Sequence, residues 1–321
     1  MTARDAPTVG VDVGATNVRA ALVAPDGRIL AAERQALGDE RPPERVAAVV
    51  SECVDRVRSK SDVPPAGLGV GVAGQVDADK GVVRFAPNLG WRDVPFGEKL
   101  RARTGLPVVL ANDVRAATLG EWNHGAGRGA EDLVCVYVGT GIGGGVVSGG
   151  RLLQGVSGLA GELGHVPVAV GGAACSCGGR GCVEAYAGGW AIARRAMQMA
   201  AADSRAGKLL LDLAGGDPAA VTSALVARAD HDGDPLARRV VDDAAEALSA
   251  ACVGLVNAFN PQILIVGGGV VVGLPRLVGA VARAVEERAL PASRESVRVV
   301  PAELGDDAGA VGAAVLARKF R

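Results

Sequence analysis

The sequence predicts a two-domain mixed α/β protein, and three observations carry that prediction. The chain has 321 residues, where single domains usually span ~100–200. Short buried runs rich in valine alternate with longer amphipathic stretches. A strand, a polar Gly/Thr turn and a hairpin follow one another near residues 8–33 and again near 133–153, a repeat of architecture rather than of sequence. The expected boundaries are 1–122 for a smaller N-terminal domain and 123–308 for a larger one, with a helix over 309–321 packing back onto the first domain.

Composition narrows the function classes. Apolar residues make up 49% of the chain and aromatics only 3%, so the cores must be built from Val, Leu, Ile and Ala. A net charge of -1 without any basic block argues against nucleic acid as a partner. No apolar run reaches the ~18 residues of a membrane span. The first eight residues include Arg4 and Asp5 and no apolar segment, unlike a secretory leader. A soluble, cytoplasmic protein is expected.

Residues 8–13 are apolar and β-branched and read as a buried strand. Gly14-Ala15-Thr16-Asn17 is a turn, 18–23 a second strand, and Asp26-Gly27 a hairpin signal leading into a third strand at 28–33. A dinucleotide fold would pass directly from strand to helix, so this opening excludes it. Val46, Val49, Val50, Cys53, Val54 and Val57 recur at three and four residues and predict a helix over 43–60. Strands follow at 68–73 and 82–85, then a helix over 96–103 stopped by Gly105 and Pro107. A strand at 107–111 runs into Asn112-Asp113 and a helix over 114–122. Gly125-Ala126-Gly127-Arg128-Gly129 reads as a hinge. In the second half, 133–138 is a strand, 139–145 a glycine turn, and 146–147 and 151–153 flank a Ser148-Gly149-Gly150 turn. Helices are expected over 190–202, 218–228, 235–259, 274–290 and 309–319, with strands at 262–266 and 297–300.

The densest chemistry lies between Glu162 and Glu184. Glu162-Leu163-Gly164-His165 precedes Cys175-Ser176-Cys177-Gly178-Gly179-Arg180-Gly181-Cys182-Val183-Glu184, so three of the six cysteines crowd into eight positions beside a histidine. His165, Cys175, Cys177 and Cys182 form the donor set of a closed, tetrahedral structural zinc site. In a reducing compartment, metal is preferred there over a disulfide.

Two glycine turns directly after buried strands suit phosphate, because they leave backbone N–H groups open to an anion. Asp12, Gly14, Thr16 and Asn17 form the first, where Asp12 can sit near magnesium; Gly139, Thr140 and Gly141 form the second. Gly267, Gly268 and Gly269 lack the Lys and Ser/Thr of a Walker loop; they serve either a flat adenine ring or a close helix–strand crossing. Asp113 stands where an α/β strand ends, as a general base for an alcohol or as a helix N-cap. Asn88 suits a sugar hydroxyl or a turn. Glu162 and Glu184 suit vicinal hydroxyls or plain solvation.

Taken together these motifs resemble the ROK family of sugar kinases over nearly the whole chain. The cysteine signature with Glu162-Leu163-Gly164-His165 is the most specific part. Asp12-Val13-Gly14-Ala15-Thr16-Asn17 and Gly139-Thr140-Gly141-Ile142-Gly143-Gly144-Gly145 resemble its phosphate motifs, and Ala86-Pro87-Asn88-Leu89 and Asn112-Asp113 its sugar loops. The resemblance implies the actin/hexokinase/Hsp70-like (RNase H-like) fold with an interdomain cleft. It implies ATP-dependent phosphorylation of a hexose, most similar to bacterial glucokinases, with kinases for N-acetylglucosamine, N-acetylmannosamine or fructose and a non-catalytic sugar regulator as alternatives. Asp113 would take the proton from the sugar 6-hydroxyl, and Asn88, Asn112, Glu162, His165 and Glu184 would hold the ring. His165 would place one nitrogen on zinc and turn the other to the sugar. Magnesium would travel with ATP, and a homodimer or homotetramer is implied. Arg115 departs from the family pattern by placing charge near the base, and the loop 168–174 is more apolar than in many relatives.

Overall fold

The computed structural model of the protein describes residues 6–203 and 205–319; Arg4, Asp5 and the last two positions of the expected 309–321 helix lie outside the described residues. In chain order the elements are β1 (Thr8–Val13), β2 (Asn17–Val23), β3 (Ile29–Ala36), α1 (Pro43–Arg58), β4 (Leu68–Val72), β5 (Gln75–Asp77), β6 (Val82–Ala86), β7 (Trp91–Val94), α2 (Phe96–Thr104), β8 (Val108–Asn112) and α3 (Asp113–His124). Then come β9 (Leu133–Val138), β10 (Ile142–Ser148), β11 (Arg151–Leu152), α4 (Glu184–Ala187), α5 (Gly189–Ala202), α6 (Lys208–Leu213), α7 (Ser223–His231), α8 (Pro235–Phe259), β12 (Ile263–Gly267), α9 (Gly269–Gly273), α10 (Arg276–Arg288), α11 (Pro291–Ser296), β13 (Arg298–Pro301) and α12 (Ala308–Lys319).

The chain divides into two compact units. Unit 1 draws on Met1–Ala130, Leu152–Gly161 and Glu303–Arg321, and unit 2 on Glu131–Arg151 and Glu162–Ala302. Each holds a five-stranded sheet with the same plan: order β3-β2-β1-β4-β8 in the first, β11-β10-β9-β12-β13 in the second. In both, the first strand pairs antiparallel with the hairpin strand on one side and parallel on the other. The turns Gly14–Thr16 and Gly139–Gly141 therefore occupy equivalent positions in the two sheets. A small third sheet, β5-β6-β7, belongs to unit 1.

Unit 1 is assembled by α1 on one face of its sheet and α12 on the other. The α1 stripe of Val46, Val49, Val50, Cys53, Val54 and Val57 is buried, each such side chain adding about 1.5–3 kcal/mol over an exposed one. The α12 contact is closer. Ala308 through Ala317 are buried, most of them small. Methyl groups at Gly10 or Gly69 would overlap the carbonyls of Ala310 or Ala313, and one at Gly312 would overlap the Ala116 carbonyl on α3. Buried Glu121 closes the same region: its two oxygens accept the N–H groups of Ala126 and Leu304, each at 2.8 Å. Those residues lie just before the chain leaves unit 1 and just after it returns.

The structure corrects several sequence expectations. The 139–145 stretch is not one turn: Val138 pairs with Ile142, so the turn is confined to 139–141 and Gly143, Gly144 and Gly145 lie in β10. Their bare backbone has a packing use, since a methyl at Gly144 would overlap Leu163. The 218–228 helix is split into a 3-10 turn at Pro218–Ala220, capped by Asp217, and α7, capped by Thr222. The 274–290 helix starts only at Arg276, as α10, with Pro275 as its N-cap, and the short helix α9 lies just ahead of it, directly after the glycine run. Strands β5 and β7 and helices α6 and α11 are too short to leave a periodic trace.

These contacts predict a contrast between two glycine-to-alanine changes. Gly312→Ala is expected to cost about 1–3 kcal/mol in urea unfolding. Gly254→Ala, on α8 with nothing within 4 Å of an added methyl, should be neutral or stabilise by about 0.5–1 kcal/mol. Equal effects would remove the close-packing account of α12.

Candidate active site and metal centre

In unit 1, three parallel strand ends place the acidic groups. Asp12 on β1 pairs with Gly71 on β4, which pairs with Ala111 on β8. Gly71 lets Asp113 approach: its added methyl would meet the Asp113 Cα at 3.2 Å. Burial first, and then the Asp113 carboxylate, raise Asp12 to about 7, with Arg19 opposing and Asp306 reinforcing. Arg19, the cross-strand partner of Asp12, is held by Asp306 through a 2.8 Å ion pair and the Asp306 backbone oxygen. Sequence reasoning missed both residues, because the Arg19–Asp306 pairing spans nearly the whole chain. Asp12 and Asp113 together suit a divalent cation carried by phosphates.

Asn112 and Asp113 divide the labour that the sequence left open. Asn112, not Asp113, is the N-cap of α3, accepting the Arg115 N–H at 3.1 Å. Its amide group donates to the Gly74 carbonyl at 3.1 Å and to Asp113 Oδ1 at 2.8 Å. Asp113 is thus spared capping and is aimed by its neighbour. Arg115 donates to the Gly158 carbonyl. Asn88 is exposed on a 3-10 turn at Pro87–Leu89, closed by Gly90 with φ 71°. Trp91 anchors that loop, stacking on Phe96 at 4.8 Å and donating to the Arg41 carbonyl at 2.7 Å. In the first glycine turn, Gly14 N–H donates to the Asn17 carbonyl at 3.0 Å, and Asn17 donates to Thr16 Oγ1 at 2.8 Å.

In unit 2, His165 and the three cysteines converge. Their ligand atoms all lie within 4.8 Å of one another. Cys177 and Cys182 sulfurs are 3.8 Å apart and Cys175 Sγ is 3.7 Å from His165 Nδ1. A tetrahedron with ~2.3 Å metal–sulfur bonds has edges of about 3.8 Å, so the donor set fits zinc in type and in spacing. Burial, then Cys177 and Cys175, push the Cys182 thiol up to about 12; three clustered thiols ionise together only around a cation. Cys177 is the exposed member. Glycine builds the loop: Gly178 and Gly181 have φ of 88° and 79°, and Gly181 exchanges hydrogen bonds with Ala173 and Val168 at 2.8 Å each. Gly164 lies directly on the Ile142 carbonyl, which seats the 3-10 turn Leu163–His165 on β10. His165 Nε2 faces away from the cysteines, 3.9 Å from exposed Glu162.

Glu184 is not solvated. It is 7% exposed, and its oxygens accept Ile142 N–H at 2.8 Å, Ser176 Oγ at 2.9 Å and Trp190 Nε1 at 3.3 Å. Sequence reasoning missed Ser176 and Trp190 as partners of Glu184; only the place of Ser176 between two cysteines hinted at it. In the second glycine turn the Gly139 and Thr140 carbonyls accept N–H groups of Gly189 and Trp190 at the start of α5, at 2.9 and 3.0 Å. The third glycine run serves packing first: a methyl on Gly267 would meet Ala302 at 2.5 Å, and Gly268, at φ 97°, abuts the Val138 carbonyl, while Gly269 faces open space.

Comparison with known proteins agrees with this arrangement. A family model described as "ROK family" matches residues 8–320. The chain is 38% identical to the glucokinase of Thermotoga maritima, over 97% of each chain. It is 35% identical to that of Streptomyces coelicolor, over 97% of this chain and 98% of the other. Among solved structures, a ROK family glucokinase from Streptomyces griseus in complex with glucose and AMPPNP superposes with TM-score 0.85 at 36% identity, covering 98% of this chain and 99% of that one.

Two outcomes are expected. Asp12 is raised above its usual carboxylate value, so the stability it contributes is full below about pH 4 and is lost as pH rises toward 7. In magnesium-free buffer the thermal midpoint of Asp12→Asn should therefore gain on the native protein between pH 5 and pH 8; a constant difference would mean that Asp12 does not titrate there. Removing bound zinc with a chelator should abolish hydrogen-exchange protection in residues 162–184 and lower the melting temperature. Full activity with verified metal loss would exclude a structural role for the metal.

Proposed function

The chain belongs to the ROK family, and on that premise we propose that it is a glucokinase that transfers the γ-phosphoryl group of ATP to the 6-hydroxyl of glucose, with Asp113 as the general base. The fold is the two-domain actin/hexokinase-like α/β fold. The observation that carries the choice of base is the pair at the end of β8: Asn112 caps α3 and donates to Asp113, leaving that carboxylate oriented and free of a capping role. A base within hydrogen-bond reach of the attacking hydroxyl removes its proton as the new O–P bond forms.

The remaining roles follow from exposure and donor chemistry. Asn88 and Glu162 are exposed polar groups suited to sugar hydroxyls. His165 would give Nδ1 to zinc, which fixes the tautomer and directs Nε2 toward the sugar. Asn112 reaches the sugar chiefly through Asp113, because its polar atoms are taken by Gly74, Asp113 and Arg115. Asp12, Gly14, Thr16 and Asn17 would receive one part of the ATP phosphates and Gly139, Thr140 and Gly141 another, and the run Gly267, Gly268 and Gly269, with Gly269 its open member, would lie against the adenine ring. Magnesium bound with ATP neutralises charge on the phosphates, and Asp12 is the residue placed to hold it. No helix among the described residues is long and apolar enough to cross a membrane, and we place the protein in the cytoplasm, assembled as a homodimer or homotetramer.

The deciding assay measures ADP release with purified protein, ATP and magnesium on glucose, mannose, fructose, N-acetylglucosamine and N-acetylmannosamine in parallel. Glucose should give the highest kcat/KM; a preference for an N-acetyl sugar would overturn the substrate and leave the base. Asp113→Asn should keep glucose binding and lower kcat by about 10²–10⁴-fold. Near-native kcat in that variant would remove Asp113 from the chemistry.

A further inference from the structure

The sequence places a charge at Arg115, close to the proposed base, and the fold gives that charge a partner. Arg115 stands in the first turn of α3, two positions beyond Asp113, and its own N–H is taken by the Asn112 cap. Its half-buried side chain donates from the guanidinium to the carbonyl of Gly158, 43 residues further along the chain. Gly158 belongs to the excursion Leu152–Gly161, which returns to unit 1 between two segments of unit 2. The excursion is mostly at the surface: residues 153–157 are exposed, Val156 completely so. Its backbone closes on itself, Gly158 N–H donating to the Gly155 carbonyl at 3.3 Å and Ala160 N–H to the Gln154 carbonyl at 3.0 Å. Gly155 and Gly158, with φ of 70° and 74°, bend it into a compact loop.

The Arg115 bond also fixes where this loop lies. Asn112 holds the Gly74 carbonyl at 3.1 Å, and a methyl added to Gly158 would lie 4.0 Å from the Val76 carbonyl on β5. The half-buried end of the loop, the start of β5 and the Asn112-Asp113 pair therefore gather at one end of the first sheet. From Gly161 the chain runs directly into Glu162 and the Leu163–His165 turn. An exposed loop opens readily, so a charge-assisted bond from the rigid start of a helix weighs heavily in its order. A loop already ordered receives a ligand without a further ordering cost.

We propose that Arg115 is a positioning residue for the sugar: by holding Gly158 it keeps the 154–160 loop in place beside Asp113, as a wall of the hexose subsite formed before the hexose arrives. This rests on the reading of Asp113 as the base of a glucokinase. It gives a use to the residue at which this chain departs from the family pattern. The role is in binding rather than in the chemical step, because Arg115 spends its guanidinium on the protein backbone.

The experiment compares the zinc-loaded native protein with Arg115→Ala and Arg115→Lys, by steady-state kinetics and by hydrogen exchange without ligands. In Arg115→Ala the KM for glucose should rise roughly tenfold while kcat and the KM for MgATP stay within about twofold. The amides of Gly158 and Ala160 should lose protection in the same variant, with residues 162–184 unchanged. Arg115→Lys keeps the charge and one donor head, and should recover part of both effects. If Arg115→Ala does not fold, Arg115→Gln, shorter and uncharged, carries the test with the same expected changes. Unchanged loop protection would overturn the proposal; so would lost protection with an unchanged KM for glucose, or a fall in kcat with KM intact. A native protein that binds and turns over no hexose would remove the glucokinase reading together with this role, whereas native turnover with an unaltered glucose KM in the variant removes the role of Arg115 alone.

Discussion

Backbone laid directly on backbone is the constraint on which both units depend. With aromatics at 3% of the chain, few large side chains are available to fill wide gaps, and layers are brought together instead. Gly10 and Gly69 admit α12 onto the first sheet, Gly312 admits α3 onto α12, and Gly144 and Gly164 admit the Leu163–His165 turn onto β10. Close approach gains dispersion contacts at almost every atom and loses them steeply when a methyl intrudes. The 47 glycines of the chain are therefore spent less on flexible loops than on contact, and several stand within a few residues of a functional side chain.

That economy decided what could be read from the sequence. Elements with a period were legible: β1, α1, α5, α8 and α12 follow their apolar spacing to within a residue or two. The matching strand–turn–hairpin openings anticipated the common strand order of the two sheets. Elements whose glycines pack rather than turn were misread, as at Gly143, Gly144 and Gly145, because a glycine run looks the same locally whether it bends or approaches a neighbour. The metal set was legible because four donors of two rare types within eighteen residues have few other uses. The hydrogen-bond partners of Asn112 and Glu184 were not, since they depend on which N–H groups the fold delivers to each oxygen.

The two units meet the same electrostatic problem in different ways. Around Asp12 and Asp113, two carboxylates are held near one another with Arg19 as partial compensation, so charge is left for a cation to complete. Around Glu184, a single buried carboxylate is satisfied by neutral donors from three directions. The first arrangement is costly without a ligand and responsive to pH; the second is held in place by its donors.

The placement of α12 also bears on how the chain is made. Every other helix and strand of unit 1 is synthesised before unit 2, yet α12 follows unit 2 entirely. At ~5–20 residues per second on the ribosome, the sheet face at Gly10 and Gly69 waits roughly ten seconds or more for the helix that covers it. Unit 2, contiguous but for the short excursion at Leu152–Gly161, has its strands and helices in hand by then. The nascent protein thus passes through a stage in which the later-synthesised unit can be complete and the earlier one cannot, because the sheet face at Gly10 and Gly69 still lacks its covering helix.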